Sequence, residues 1–151
     1  MEPCFTISLA TLADIKPMAV LLQLLLEQEA DFTPNTNLQK EGLRLIIENK
    51  EIGQLLVLKD NQAVVGMVNL LFTISTALGS KVAILEDVIV HPDYRKQGLG
   101  SKLIEAAIAF AKENHCKRIT LLTDSNNETA HTLYKKYGFT KSGMVPFRLM
   151  L

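Results

Sequence analysis

The feature that most constrains the fold is a strand-like run that leads through a glycine-containing loop into a helix-like stretch. Residues 81–90, KVAILEDVIV, are mostly apolar and rich in β-branched side chains, which favours a buried strand. Gly98 and Gly100 lie in the loop that follows. A helix is then predicted to about Asn114, because apolar residues share one of its faces: Leu99, Leu103, Ala107 and Phe110. A strand, a loop and a helix that packs back on the strand form a basic unit of α/β proteins.

Other apolar patterns predict the rest of a single α/β domain over residues 1–151, a length that suits one domain with its own core. Period-two alternation predicts strands at residues 4–9, 54–59, 63–74, 81–90 and 117–123, and two short strands around Pro146 between residue 138 and the end. Helical periodicity predicts helices to about residue 29, at 38–49, to about 114 and at 127–136. A loop is predicted at residues 31–37. This order predicts a mixed sheet with helices on both faces.

Charge and composition exclude several kinds of partner. Lys plus Arg number 16 and Asp plus Glu number 16, so no overall field attracts nucleic acid or an anionic membrane. The N-terminal residues do not resemble a secretion signal, and the apolar run at 19–26 is too short to span a membrane. Cys4 and Cys116 are far apart, so we expect two reduced thiols in a cytoplasmic protein. We expect no metal, because the His115–Cys116 pair has no partner pair at ligand spacing.

The loop at residues 95–100, RKQGLG, has the composition of a local anion-binding site. The first turn of a helix has N–H groups without internal acceptors, and glycines let a phosphate approach them. The spacing excludes a P-loop, and Leu103 stands where a dinucleotide-binding fingerprint has its third glycine. The other interpretation, which stays open, is a flexible glycine-containing turn that binds no ligand.

Two motifs together resemble the GNAT N-acetyltransferase superfamily. The first is Arg95-x-x-Gly98-x-Gly100 after the strand. The second lies about 30 residues later and reads Asn127-x-x-Ala130-x-x-Leu133-Tyr134-x-x-x-Gly138-Phe139. The resemblance implies an α/β fold with a mixed, mostly antiparallel sheet. It also implies an enzyme that moves an acetyl group from acetyl-CoA to an amine, without a metal.

The resemblance also implies where coenzyme A binds. Its pyrophosphate is assigned to the main-chain amides of the loop and helix start, at Lys96, Gln97, Gly98, Leu99, Gly100 and Ser101. Arg95 is also assigned to cofactor binding. Its pantetheine arm is assigned to the strand main chain of Val88, Ile89 and Val90 and to Asn127. An N–H near Val90 is expected at the thioester carbonyl, and Tyr134 is expected beside the sulfur as the general acid.

A carboxylate must also take a proton from the attacking amine, and Glu86 and Asp87 are the candidates. Strand alternation predicts that Glu86, Val88 and Val90 share one face and Asp87 and Ile89 the other, unless a bulge intervenes. We favour Glu86 as the base, because it reaches farther and can act through water. For either carboxylate, a solvated edge or a salt bridge stays open. His91 is less favoured, since it lies on the loop side.

The acceptor is the least constrained part of the reaction. A small-molecule primary amine, attacked directly in a ternary complex, is our first hypothesis. The motifs are similar to those of glucosamine-6-phosphate, aminoglycoside and amino-acid acetyltransferases. A protein or peptide substrate and a non-catalytic acyl-CoA-binding module stay open. We expect the acceptor site between the N-terminal helices and residues 70–80. The sequence leaves a homodimer open.

Overall fold

The computed structural model describes residues 4–27 and 35–151 of the chain. The strands are β1 (Phe5–Leu9), β2 (Gly53–Asp60), β3 (Ala63–Ser75), β4 (Ser80–Val90) and β5 (Ile119–Leu121). The helices are α1 (Ile15–Leu26), α2 (Thr36–Glu48), α3 (Leu99–Glu113) and α4 (Glu128–Lys136). Short 3₁₀ turns lie at Leu12–Asp14 and Pro92–Tyr94. No helix in these two ranges is both long and apolar enough to cross a membrane.

These bounds confirm most of the predicted elements. β5 is shorter than the predicted strand at 117–123. α2 begins two residues before the predicted start, because the Asn35 side chain accepts hydrogen bonds from the N–H groups of Asn37 and Leu38 and so caps the helix. The predicted helix end near Glu29 and most of the predicted loop at 31–37 lie outside the described residues.

The five strands form one sheet in the order β1-β2-β3-β4-β5. β1 to β4 pair antiparallel, and β5 pairs parallel with β4 after the α3 crossover. The predicted fold, a mixed and mostly antiparallel sheet with helices on both faces, is confirmed.

Each face of the sheet packs against its own helices. On one face α1 and α2 cover a core that includes Met18, Leu43, Val57, Met67 and Ile89. On the other face α3 contributes its predicted stripe, of which Leu99, Leu103 and Ala107 are buried and Phe110 is partly buried. Strand β4 therefore has a helical layer on both sides.

The two strands predicted between residue 138 and the C-terminus are absent from the structure, so that prediction was wrong. Residues 140–151 are exposed throughout, with Phe147 97% and Leu149 83% exposed. The alternating pattern reports strand propensity only, whereas a strand also needs an edge to pair with. β5 ends at Leu121 after three residues, and Pro146 has no N–H to donate to a ladder.

Candidate active site

The start of α3 presents a row of main-chain donors. No hydrogen bond to another group of the described chain is found for the N–H groups of residues 96–101. Gly98 caps the helix with φ 75°, a conformation that glycine adopts without strain, and Lys96 has φ 63°. Leu99 is buried and anchors the first turn. These six N–H groups, with the helix dipole behind them, fit the pyrophosphate of coenzyme A. We call them the anion cradle.

A side chain of the loop ties the cradle to the sheet. Arg95 Nε donates to the carbonyl oxygen of Val90 at 3.1 Å. The guanidinium is otherwise exposed, as is Lys96, so positive charge lies beside the cradle although the chain as a whole is neutral. This hydrogen bond holds the loop before the cradle close to the end of β4.

The edge of β4 next to the cradle is open. β5 pairs with β4 only from Ala83 to Leu85, whereas β4 continues to Val90. Among the described residues no strand pairs with this side of residues 86–90. An extended ligand can therefore take the place of a strand there. This is where the sequence predicted the pantetheine arm, at Val88, Ile89 and Val90.

Helix α4 brings Tyr134 to the same side of the sheet. Tyr134, Val88 and Val90 all pack against the core beneath α3. Asn127 starts α4, since its Oδ1 accepts a hydrogen bond from the Ala130 N–H at 3.2 Å. The sequence assigned Asn127 to the cofactor. In the structure its oxygen caps the helix.

The environment of Tyr134 suits a proton donor. Its ring lies edge-on to Phe139 with centroids 5.9 Å apart. Burial raises the pKa of its phenol above the ordinary value of 10.0. Its hydroxyl has no hydrogen-bond partner within residues 4–27 and 35–151. The phenol therefore keeps its proton at neutral pH.

A β-bulge lies at the two candidate carboxylates. Met67 of β3 pairs with Ile89, and Asn69 pairs with Glu86, so Val68 lies opposite two residues of β4. Asp87 is one of those two and has φ 54°. Glu86 and Ile89 consequently lie on the same face, which packs against α1 and α2. The predicted strict alternation of residues 86–90 is wrong because the bulge inserts one residue.

The bulge opens onto a cavity of about 220 Å³ between the sheet and the first two helices. Its lining residues are Leu22, Leu26, Gln39, Gly42, Leu43, Ile46, Asn69 and Asp87. Asp87 is therefore at the cavity, while the exposed Glu86 is not among the lining residues. Sequence reasoning expected the acceptor between the N-terminal helices and residues 70–80. Those helices line the cavity, none of residues 70–80 does, and of the polar pair Asn69 and Asp87 only Asp87 was named.

Asn69 is the member of that pair which the sequence analysis overlooked. Its side chain is only 3% exposed, and its Nδ2 donates to Asp87 Oδ2 at 3.4 Å. A signal was present, since Asn69 is a lone amide in the otherwise apolar run VVGMVNLLF. Burying an amide is costly, so such a residue indicates a structural or binding role.

Comparison with known proteins identifies the family. The Acetyltransferase (GNAT) family model matches residues 21–139, well over half of the chain. The chain belongs to the GNAT family.

One curated relative and two solved structures illustrate what this GNAT chain is similar to. The uncharacterized N-acetyltransferase YhfO of Bacillus subtilis (strain 168) is 32% identical over 108 residues, which cover 71% of this chain and 72% of YhfO. The crystal structure of a transcriptional regulator from Bacillus halodurans C-125 is 31% identical with a TM-score of 0.83, over 98% of this chain and 100% of that chain. The aminoglycoside N-acetyltransferase AAC(6')-Iy in complex with CoA shares the fold at 16% identity and a TM-score of 0.83, over 99% of this chain and 97% of that chain.

Membership establishes the class of reaction. The GNAT chain is an acetyl-CoA-dependent N-acetyltransferase, as the resemblance of the two motifs predicted. The donors of the anion cradle and the open edge of β4 fit the cofactor's pyrophosphate and its extended arm. No cluster of three or more metal-ligating side chains occurs in the part of the chain that the structure describes.

Proposed function

We propose that the chain acetylates the primary amine of a small molecule, which attacks acetyl-CoA directly in a ternary complex. The observation that carries this proposal is the position of Asp87. The bulge in β4 puts this residue on the wall of the cavity beneath α1 and α2, and Val88 and Val90 beside the open edge of the same strand pack against the same core as Tyr134. Two substrates can thus approach one strand from different sides.

The cofactor half of the site uses the predicted residues. Acetyl-CoA supplies the thioester that is cleaved. The anion cradle at residues 96–101 binds the pyrophosphate, with Arg95 beside it. The main chain of Val88, Ile89 and Val90 binds the pantetheine arm, and an N–H near Val90 stabilises the oxyanion. The Asn127 amide nitrogen contacts the arm, because the oxygen already caps α4.

The acceptor half needs a base. An alkylamine with a pKa near ~10 is mostly ammonium at neutral pH, so a carboxylate must take one proton before nitrogen attacks. Asp87 lines the cavity, and Glu86 does not, which favours Asp87 over our sequence-based preference for Glu86. Tyr134 then gives its proton to the departing thiolate, and burial of the phenol keeps that proton in place until it is needed.

A peptide substrate is the second candidate. A peptide needs an open groove, whereas the acceptor side of this site is a cavity. The cavity's volume of about 220 Å³ favours the small molecule. The experiment is steady-state release of coenzyme A with a panel of primary amines and a panel of N-terminally free peptides. Turnover with small amines alone supports the proposal. Turnover with peptides alone overturns it in favour of the second candidate.

The remaining proposals concern assembly and location. The exposed apolar side chains of residues 144–151 support a homodimer, in which a second copy covers them. The two free thiols, Cys4 and Cys116, support a cytoplasmic location.

A further inference from the structure

We infer that the acceptor carries its primary amine on a compact apolar skeleton, and that Asn69 Oδ1 accepts a hydrogen bond from the amine. This inference rests on the proposed function, since it names the substrate class of the same site. It predicts a preference for alkylamines and arylalkylamines over hydroxylated or polycationic amines such as aminoglycosides.

The walls of the cavity are mainly hydrocarbon. Helix α1 contributes Leu22 and Leu26, and helix α2 contributes Leu43 and Ile46. An apolar body replaces water against these side chains favourably, whereas a hydroxyl-rich body leaves its hydrogen bonds unmade there. The substrate skeleton that these walls favour is therefore aliphatic or aromatic.

The size of the cavity limits that skeleton. Its volume of about 220 Å³ falls below the ~300–1,000 Å³ of pockets that enclose drug-sized ligands. This volume favours a compact amine, such as a six-carbon alkylamine, over a multi-ring aminoglycoside.

The polar groups of the cavity are few and lie together. Asp87 and Asn69 are hydrogen-bonded neighbours, and Gln39 of α2 is the third polar lining residue. Asp87 is the sole acidic side chain among the described lining residues. One carboxylate matches one ammonium group, whereas a polycation needs several.

Asn69 has an acceptor that the fold leaves without a partner. Because a carboxylate only accepts, the contact with Asp87 identifies the amide nitrogen as the group that faces it. The other end, Oδ1, is buried and has no hydrogen-bond partner in the described chain. Such an orphaned acceptor is rare in native proteins. An amine beside Asp87 supplies the missing donor.

The skeleton is tested with two amines of equal size. Hexylamine and 2-(2-aminoethoxy)ethanol each have seven non-hydrogen atoms and one primary amine, and an aminoglycoside, kanamycin, is the third probe. We expect kcat/KM, corrected for the fraction of neutral amine, to be at least about tenfold higher for hexylamine. Equal or better turnover of the ether alcohol or of kanamycin overturns the inference while the proposed function stands. Absence of turnover with every primary amine overturns both.

A cavity-filling variant tests the location. Gly42 lies in α2 and lines the cavity, and a Cβ atom added there meets nothing within 4 Å. Gly42→Leu therefore places a larger side chain at the cavity while it improves helix propensity, and a thermal melt checks that the variant stays folded. We expect KM for hexylamine to rise at least about tenfold, with KM for acetyl-CoA unchanged. Gly143→Leu, at an open site outside the cavity, is the matched control. An unchanged KM for hexylamine in Gly42→Leu overturns the location.

Asn69→Leu tests the hydrogen bond. Because the variant removes both the donor to Asp87 and the orphaned acceptor, we expect KM for hexylamine to rise at least about tenfold at an unchanged KM for acetyl-CoA. A thermal melt checks that the fold persists. If the folded variant keeps the wild-type KM for the amine, Asn69 does not contact the substrate.

Discussion

In the proposed reaction Tyr134 gives a proton to the leaving thiolate, and burial raises the phenol's pKa above its ordinary value of 10.0. The protonated form is the active acid, so it is present through the neutral range and is lost only as the pH rises above that pKa. We expect Tyr134→Phe, which keeps the ring contact with Phe139, to lower kcat by roughly 10²–10⁴-fold. The alkaline decline of kcat should also be absent from the variant. Full activity of Tyr134→Phe under conditions where chemistry limits the rate would make the ring structural.

The two adjacent carboxylates provide their own control. Asp87 lines the cavity whereas Glu86 is exposed outside it, so we expect Asp87→Asn to lose roughly 10²–10⁴-fold in kcat/KM and Glu86→Gln less than about tenfold. A base acts when deprotonated, so its removal should abolish the rise of kcat/KM on the acidic side. The substrate's own titration must be subtracted from both pH profiles. If the acidic limb disappears in Glu86→Gln instead, Glu86 is the base, as its longer reach predicted.

At the scale of the element, the anion cradle depends on the backbone rather than on side chains. Gly98 has φ 75°, which a β-branched residue adopts only with strain, so Gly98→Val should disorder the donors. Gly100→Val separates obstruction from strain, because a Cβ at Gly100 meets only Leu133 Cδ2, at an ordinary 3.6 Å. We expect both variants to raise the Kd for coenzyme A at least about tenfold in titration calorimetry. An unchanged Kd in a folded Gly100→Val protein would show that the pyrophosphate does not bind at this loop.

The β4 strand shows where sequence reasoning reaches its limit. The apolar run and its two acidic residues predicted the strand and its chemistry, because both depend on local pattern. The bulge could not be predicted, since it depends on how β3 and β4 align across the turn between them. One inserted residue changes the face on which every following side chain lies. Aspartate is among the few residues that tolerate positive φ, so Asp87 carried a weak local signal.

At the scale of the molecule, two distant pieces of sequence supply the two halves of the proposed site. The proposed cofactor half consists of contiguous motifs from residue 88 onward, so local sequence alone names its candidate residues. The acceptor cavity combines α1, α2 and Asn69 with Asp87, and side chains so far apart in sequence meet only through tertiary packing. Asn69 was therefore visible as an anomaly in its strand but not as a neighbour of Asp87. The prediction of two C-terminal strands failed for a related reason. The residue pattern of one strand does not show which strand it can pair with.

The C-terminal segment exposes apolar side chains to water, which is energetically unfavourable. Phe147 and Leu149 are 97% and 83% exposed, and Met144 and Val145 are also exposed. Contiguous apolar surface of this kind is characteristic of a protein interface, and a second copy of the chain is the partner present in every preparation. We expect a dimer in light scattering after gel filtration, and a monomer when Phe147 and Leu149 are both changed to Ser. Lys141→Ser, a polar position in the same exposed segment, is the matched control and should remain dimeric. A wild-type protein that stays monomeric at about 100 µM, a concentration at which even micromolar interfaces form, would contradict this assembly.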